Sequence, residues 1–291
     1  MKTTTQEQAG ATMVLTEEAL AALVGPPPPP AERRLVQAAT TIGWALVGLA
    51  AFVAAWWFAA SRAEGLPSPS LAWSTLLDTL SDPFYDNGPN DKGVGRQLLT
   101  SMGRVGQGFG FAVLIGVPVG LLMGASRRVW QALNPISQVL RPVSPLAWFP
   151  IWLKVSQDAP KAAVIVIFIT ALWPVLINTA AGAATIPQEQ QDVAKVFRFG
   201  RLAYLRHVLV PNALPSIVTG LRLSMGIAWM VIVAVEMLSG STGIGAHVWS
   251  MYNMSNMPAV VVAIILIGAV GMLLDLAFLR LGRAVAPKGR S

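Results

Sequence analysis

Side chains able to do chemistry are few in this sequence and far apart. The only histidines, His207 and His247, stand forty residues from each other, and there is no cysteine. Thiol nucleophiles, disulfides, iron–sulfur clusters and Cys-ligated zinc are therefore excluded. No G-x-x-x-x-G-K phosphate loop ending in Ser or Thr is present, and no HExxH, so nucleotide and zinc-hydrolase chemistry have no motif to rest on. What remains is charge in unusual places. Glu236 and Asp275 lie inside long apolar runs, and Arg141 and Arg222 are expected close to the inner membrane boundary. The stretch QQDVAKVFRFGRLAYLRHVLVPNALP, Gln190 to Pro215, carries Lys195, Arg198, Arg201 and Arg206 between two such runs. Charges so placed suit ion handling, bracing or docking rather than bond making. An acid at membrane depth either serves a gate or pathway or braces a helix by hydrogen bonding. Arginines at a membrane boundary either meet an anion or snorkel to water.

The elements that must position these charges are membrane helices. Of the 291 residues, 54% are hydrophobic and 12% charged, about half the charge share of a soluble domain. A bilayer crossing needs about 20 mostly apolar residues. Four clear candidates are 35–60, 161–182, 214–238 and 258–281, and two weaker ones are 97–124 and 131–153. The span 97–124 carries Gly106, Gly110, Gly116, Gly120 and Gly124, a small-residue seam along which helices can approach closely. The span 131–153 carries Pro135, Pro142, Pro145 and Pro150. So many prolines at that depth are tolerated where protein or a water-lined cavity satisfies the freed carbonyls. Pro142, Ser144, Pro145 and Trp148 are accordingly expected to break the helix and line a pathway. Trp173, Trp229 and Glu236 are the further pathway candidates.

Six crossings place both termini on one side, and basic residues choose the side. Lys2, Arg33, Arg34, Arg127, Arg128, the four cations of the basic stretch, Arg280, Arg283, Lys288 and Arg290 fall together. The other side mixes Arg62, Lys92, Arg96, Lys154 and Lys161 with six acids. By the positive-inside rule the first side is cytoplasmic. The expected organisation is a disordered cytoplasmic tail over 1–32 with the proline run Pro26–Pro30, a membrane domain over 33–283, and a cytoplasmic tail over 284–291. The outer loop 64–95, rich in Pro, Asp, Asn and Gly, is either a mobile connector or a contact surface.

The basic stretch is too charged to cross. Thr185-Ile-Pro-Gln188 has the form of a capping box, and a short helix should follow with Val193, Val196 and Phe197 on one face. Gly200 is the expected stop. A second short helix with Leu202, Leu205, Val208 and Leu209 should end before Pro211. Three readings suit such a segment: a loop serving the positive-inside rule, an amphipathic helix on anionic lipid, or a knob docking into a groove of a cytoplasmic protein.

The segment resembles the cytoplasmic signature loop of bacterial ABC-importer permeases, which reads Glu-Ala-Ala, three residues, Gly, nine residues, Ile, any residue, Leu-Pro. Asp192 stands at the glutamate, Ala194 at the second alanine, Val208 at the isoleucine, Val210 at the leucine and Pro211 at the proline. Val193 replaces the first alanine, and Arg198 stands where glycine is expected. The likeness runs from Leu66 to Leu281 and includes RPVSPLAWFPI (Arg141–Ile151), TGLRLSMGIAW (Thr219–Trp229) and VAVEMLSG (Val233–Gly240). DPFYDNGPNDKGVG (Asp82–Gly95) is similar to permeases of nitrate importers within the nitrate, sulfonate and bicarbonate group. GAHVWSMYNM (Gly245–Met254) departs from that type, which tends to have an acid there.

The resemblance implies an all-α integral membrane protein with the type I ABC-importer permease fold. It implies a coupling surface made of Asp192, Val193, Ala194, Lys195, Val196, Phe197, Arg198, Gly200, Arg201 and Pro211. The implied partners are a second permease copy, two cytoplasmic ATPases that bind ATP and Mg, an extracytoplasmic solute-binding protein and the bilayer of a bacterial inner membrane. No cofactor or metal in this chain and no nucleic acid are expected. A secondary transporter would differ by showing two related halves, and a membrane enzyme by converging acids, histidines or a nucleophile.

Overall fold

The computed structural model describes residues 31–88 and 91–285, with side chains from residue 39 onward. The expected N- and C-terminal tails lie outside these residues, apart from 31–32 and 284–285, which are helical. Helix α1, Ala31–Arg62, forms a unit of its own up to Ala59. Trp44, Leu49, Phe52 and Trp57 are exposed on it. A helix apolar all round is suited to lipid.

The second unit holds α2 (Pro69–Ser81), α3 (Val94–Ala125), α4 (Arg127–Leu140), α5 (Pro145–Ser156), α6 (Ala159–Ala184), α7 (Gln188–Val196), α8 (Arg201–Tyr204), α9 (Val210–Ser239), α10 (Ile244–Asn253) and α11 (Met257–Val285). Among the described residues, α1, α3, α6, the run Arg201–Ser239 and α11 are long and apolar enough to cross a membrane.

The organising contact is between α3 and α6. A methyl group on Gly108 would meet Ile167, on Gly116 Val175, on Gly120 Thr179 and on Gly124 Ala183. The offset is 59 residues every time, so the two helices run parallel with backbones in close approach. The buried Ala112 completes a row of small residues every fourth position, the spacing that aligns on one helix face. Gly106 and Gly110, expected on this seam, instead face open space. They sit two positions off the row, about 200° round the helix.

Parallel neighbours need a return strand of chain. From residue 103 to 125, α3 rises about 33 Å, close to the hydrocarbon thickness of about 30 Å. Residues 127–156 must bring the chain back over that distance. They do so as α4 and α5, parted at 141–144, and not as the single span expected over 131–153. Pro142 and Pro145 remove two backbone donors, and Ser144, before Pro145, leaves helical geometry at ψ 130 although Arg141 keeps it. Pro145 then opens α5 at a position where a missing N–H costs little.

Helix α9 lies antiparallel to α6: Ser216 packs at Gly182, Gly220 at Asn178, and Ser224 Oγ donates to the Ala171 carbonyl at 2.7 Å. Helix α11 lies antiparallel to α9, with Trp229 Nε1 donating to the Ile267 carbonyl at 3.0 Å. The described part of the loop 64–95 carries structure of its own. Helix α2 packs on α11, Arg96 bonds the Phe84 carbonyl and Asp86, and an antiparallel bridge joins Asp86 to Lys92.

Gly120→Val should lower the melting temperature of the detergent-solubilised chain, because overpacking a close helix contact costs about 1–3 kcal/mol. Gly110→Ala, whose added methyl meets open space, should leave it unchanged or raise it, alanine being the better helix former by about 1 kcal/mol.

Candidate functional site

At the Gly124 end of the bundle, α7 lies against the membrane helices by one small side chain. Ala194 is buried with Leu121, Ala183, Ile186, Val208, Leu209, Ala213 and Ile217. Asn212 on α9 ties in Gln190. With Ala194 turned inward, Val193, Val196 and Phe197 point away and are 51%, 78% and 71% exposed, an apolar face left uncovered. Lys195, Arg198 and Arg201 surround it, all exposed. Asp192 accepts from Lys195 Nζ at 2.8 Å and from Gln188 at 3.1 Å. These two bonds, the lysine's first, hold its carboxyl below the usual carboxylate range. A depressed folded value means the bond's contribution is intact above the ordinary carboxylate pKa and is lost only as pH falls through the lowered one. Neutral pH leaves it untouched.

The start and stop of α7 differ from the expected signals. Pro187 is the N-cap, without a side-chain bond, and Thr185 Oγ1 donates back to the Gly182 carbonyl, so no capping box forms. The stop is Arg198, not Gly200. Arg198 N–H donates to the Lys195 carbonyl at 3.0 Å and Phe199 N–H to the Ala194 carbonyl at 2.9 Å, the paired bonds of a Schellman cap. Arg198 takes φ +49, left-handed backbone. That conformation is why glycine suits the position. Gly200 has φ −65 and only precedes α8. Nor does the chain stop at Pro211. Helix α8 passes through a π turn, Leu205–Leu209, straight into α9, so 39 residues from Arg201 to Ser239 form one run. The wider π turn accommodates the N–H that Pro211 lacks.

The break between α4 and α5 opens a cavity of about 370 Å³. Pro142, Ser144, Pro145, Trp148 and Trp173 line it together, with Arg141, Thr170 and Asn178. The two other pathway candidates are elsewhere. Trp229 is buried against α11, and Glu236 is wholly buried at the opposite, Asp158 end. Arg141 lines the same cavity, whose α6 wall is residues 169–178, the middle of that helix.

Around Glu236 the structure builds a brace. Its carboxylate accepts from Ser101 Oγ at 2.7 Å, Arg104 Nη1 at 2.6 Å and Gly245 N–H at 3.1 Å. Arg104 also donates to the Thr242 carbonyl. Gln97 Oε1 accepts from Gly243 N–H at 2.7 Å and Ser101 Oγ from Ile244 N–H at 2.9 Å. Helix α3 thereby holds the α9–α10 turn. Gly243 has φ +142, and a Cβ there would strike the Glu236 carboxylate. A fully paired, water-excluded acid suits bracing better than solute contact. Sequence reading found Glu236 and missed Arg104, Ser101 and Gln97. The signal was present in Arg104 itself, because a cation inside a span demands an acid at its depth.

The remaining intramembrane acid, Asp275, pairs with Arg222, which donates from Nε at 2.6 Å and Nη2 at 2.8 Å. Arg280, a basic residue on the same helix, is five residues on and about 140° round it, so it faces away from Asp275. Among the described residues no cluster of His, Cys, Asp and Glu could hold a metal.

Arg198→Gly should stabilise the α7 cap by about 1 kcal/mol, seen as slower hydrogen exchange of the residue 198 and 199 amides. Glu236→Ala should cost about 3–5 kcal/mol by leaving Arg104 buried without a counter-charge. Adding Arg104→Met should recover most of the lost melting temperature.

Comparison with known proteins agrees with this architecture. The family model described as "binding-protein-dependent transport system inner membrane component" matches residues 116–290. The nitrate import permease protein NrtB of Synechocystis is 43% identical over 230 residues, covering 79% of this chain and 84% of that protein. The bicarbonate transport system permease protein CmpB of Synechococcus elongatus is 44% identical over 234 residues, with the same two coverages. The taurine transport system permease protein TauC of Escherichia coli is 31% identical over 246 residues, covering 82% and 87%. Among solved structures, an inward-facing MetNI methionine ABC transporter chain superposes with a TM-score of 0.60 at 18% identity, over 67% of this chain and 96% of that one. With its parallel helix pair, broken return crossing and short exposed α7, this chain belongs to the family of membrane permease components of binding-protein-dependent ABC importers.

Proposed function

We propose that the chain forms half of the translocation pathway of an ATP-driven importer of a small anion, nitrate first. A second copy supplies the other half, an extracytoplasmic binding protein delivers the solute, and two ATPase subunits bind ATP and Mg and drive alternating access. In this reading the chain sits in a bacterial inner membrane with α7 and both termini in the cytoplasm.

The observation that carries the reading is the uncovered face of Val193, Val196 and Phe197 beside the inward anchor Ala194. A short helix presenting apolar side chains amid cations fits a groove with an apolar floor and an acidic rim. The anchors set affinity, and Lys195, Arg198 and Arg201 assist encounter. As ATP closes the ATPase dimer, α7 is carried with it. Nitrate is favoured by the names of relatives at 42–46% identity. Bicarbonate is the second reading, because relatives named for it reach 42–44%.

Reconstituted with its binding protein and ATPases, the permease should take up labelled nitrate only with ATP, and the competition by bicarbonate and taurine should rank the three. Uptake without ATP would overturn the importer reading. Phe197→Ala should leave ATP hydrolysis running while uptake falls by about tenfold or more, the loss of one buried aromatic anchor. Normal uptake by this variant would refute the docking assignment.

A further inference from the structure

Arg141 differs from Arg104 and Arg222. Arg104 is held by Glu236 and Arg222 by Asp275. Among the described residues no hydrogen bond or ion pair holds the Arg141 guanidinium, and it is the only ionisable residue lining the mid-crossing cavity. An unmatched guanidinium at that depth is costly unless it faces water or a counter-ion. The cavity provides the room. Its roughly 370 Å³ is many times what one water needs, room for a small anion with part of its hydration shell.

Asn178 Nδ2 donates to the Pro174 carbonyl and keeps a second N–H for the same guest, whereas Thr170 Oγ1 has committed its proton to the Val166 carbonyl. The indoles of Trp148 and Trp173 can only donate. No carboxylate lines the cavity to repel an anion or to hold the guanidinium shut.

We propose that Arg141 is the transient counter-charge for the transported anion at mid-crossing, and that its planar fork favours small planar oxyanions. This rests on the reading of the chain as an anion permease. A guanidinium meets two oxygens of such an anion by parallel charge-assisted bonds, which a spherical halide cannot accept in the same way. A single cation also binds weakly enough to let go, as conduction requires.

The test uses the reconstituted complex with binding protein and ATPases, and labelled nitrate as probe. Arg141→Gln should lower ATP-driven uptake about tenfold or more, the scale of one charge-assisted contact, while the assembled complex still hydrolyses ATP. Arg141→Lys should recover uptake in part but lose discrimination against chloride as competitor. Ser144→Asp sets a carboxylate on the same cavity wall, to pair with Arg141, and should mimic the glutamine variant. Wild-type uptake rates in both Arg141→Gln and Ser144→Asp would overturn the assignment. So would failure of both to assemble, which would make the region structural. If the wild-type complex imports no anion, the underlying reading fails instead, and that result is separable from either.

Discussion

Two helices that run parallel in a membrane impose a debt of chain on everything between them. Helices α3 and α6 meet along Gly108, Gly116, Gly120 and Gly124 with a fixed offset of 59 residues, so what connects them must return through about 33 Å. Lipid offers no hydrogen bonds, so the return has to be helical wherever it touches lipid. It can be irregular only where protein or water covers it. The prolines at 142 and 145 place the irregularity in the middle of the return, opposite the centre of α6. The cavity and its lone guanidinium therefore follow from the close packing of glycines on a different helix.

Charge in the bundle divides into what is locked and what is left open. Glu236 with Arg104 closes the Asp158 end, and Asp275 with Arg222 ties α9 to α11. Each pair spans two helices, so each fixes a relative position as well as satisfying a charge. Only Glu236 with Arg104 is buried, where losing one partner would strand a charge, whereas Arg222 and Asp275 remain partly exposed. Arg141 has no such tie. Its neighbours on the cavity wall are proline, tryptophan, aliphatic and small polar side chains, with no carboxylate among them.

How far the sequence could be read depended on whether a signal was local. Apolar length located the crossing helices, and Val193, Val196 and Phe197 lay exposed as their shared spacing implied, while the inward turn of Ala194 was not legible. Glycine spacing announced a seam, but Gly106 and Gly110 read the same as Gly108 and Gly120 until a partner helix selected the row. Proline announced breaks equally at 142 and at 211. Only the first is one, because the π turn before Pro211 absorbs the missing donor. Arg198 was visible as a departure from a glycine pattern, yet its left-handed backbone is a property of the cap that forms around it. The partners of Glu236 and Asp275 lie 132 and 53 residues away. No helical period reaches that far, and the depth of each charge was the available guide.

The run from Arg201 to Ser239 has a mechanical consequence. At 1.5 Å per residue its 39 residues make a rod about 58 Å long, roughly twice the hydrocarbon thickness. One end adjoins α7, and the other carries Glu236 three residues before its last turn ends. A tilt of only 5° about its midpoint would sweep each end through about 2.5 Å, close to half the 5.4 Å rise of a helical turn. A hydrogen bond of 2.6–3.1 Å does not survive such a displacement unless its partner helix follows. The rod therefore either breaks the Glu236 brace when α7 moves, or flexes first at the π turn and Pro215. Its stiffness decides how much of a push at one face of the membrane arrives at the other.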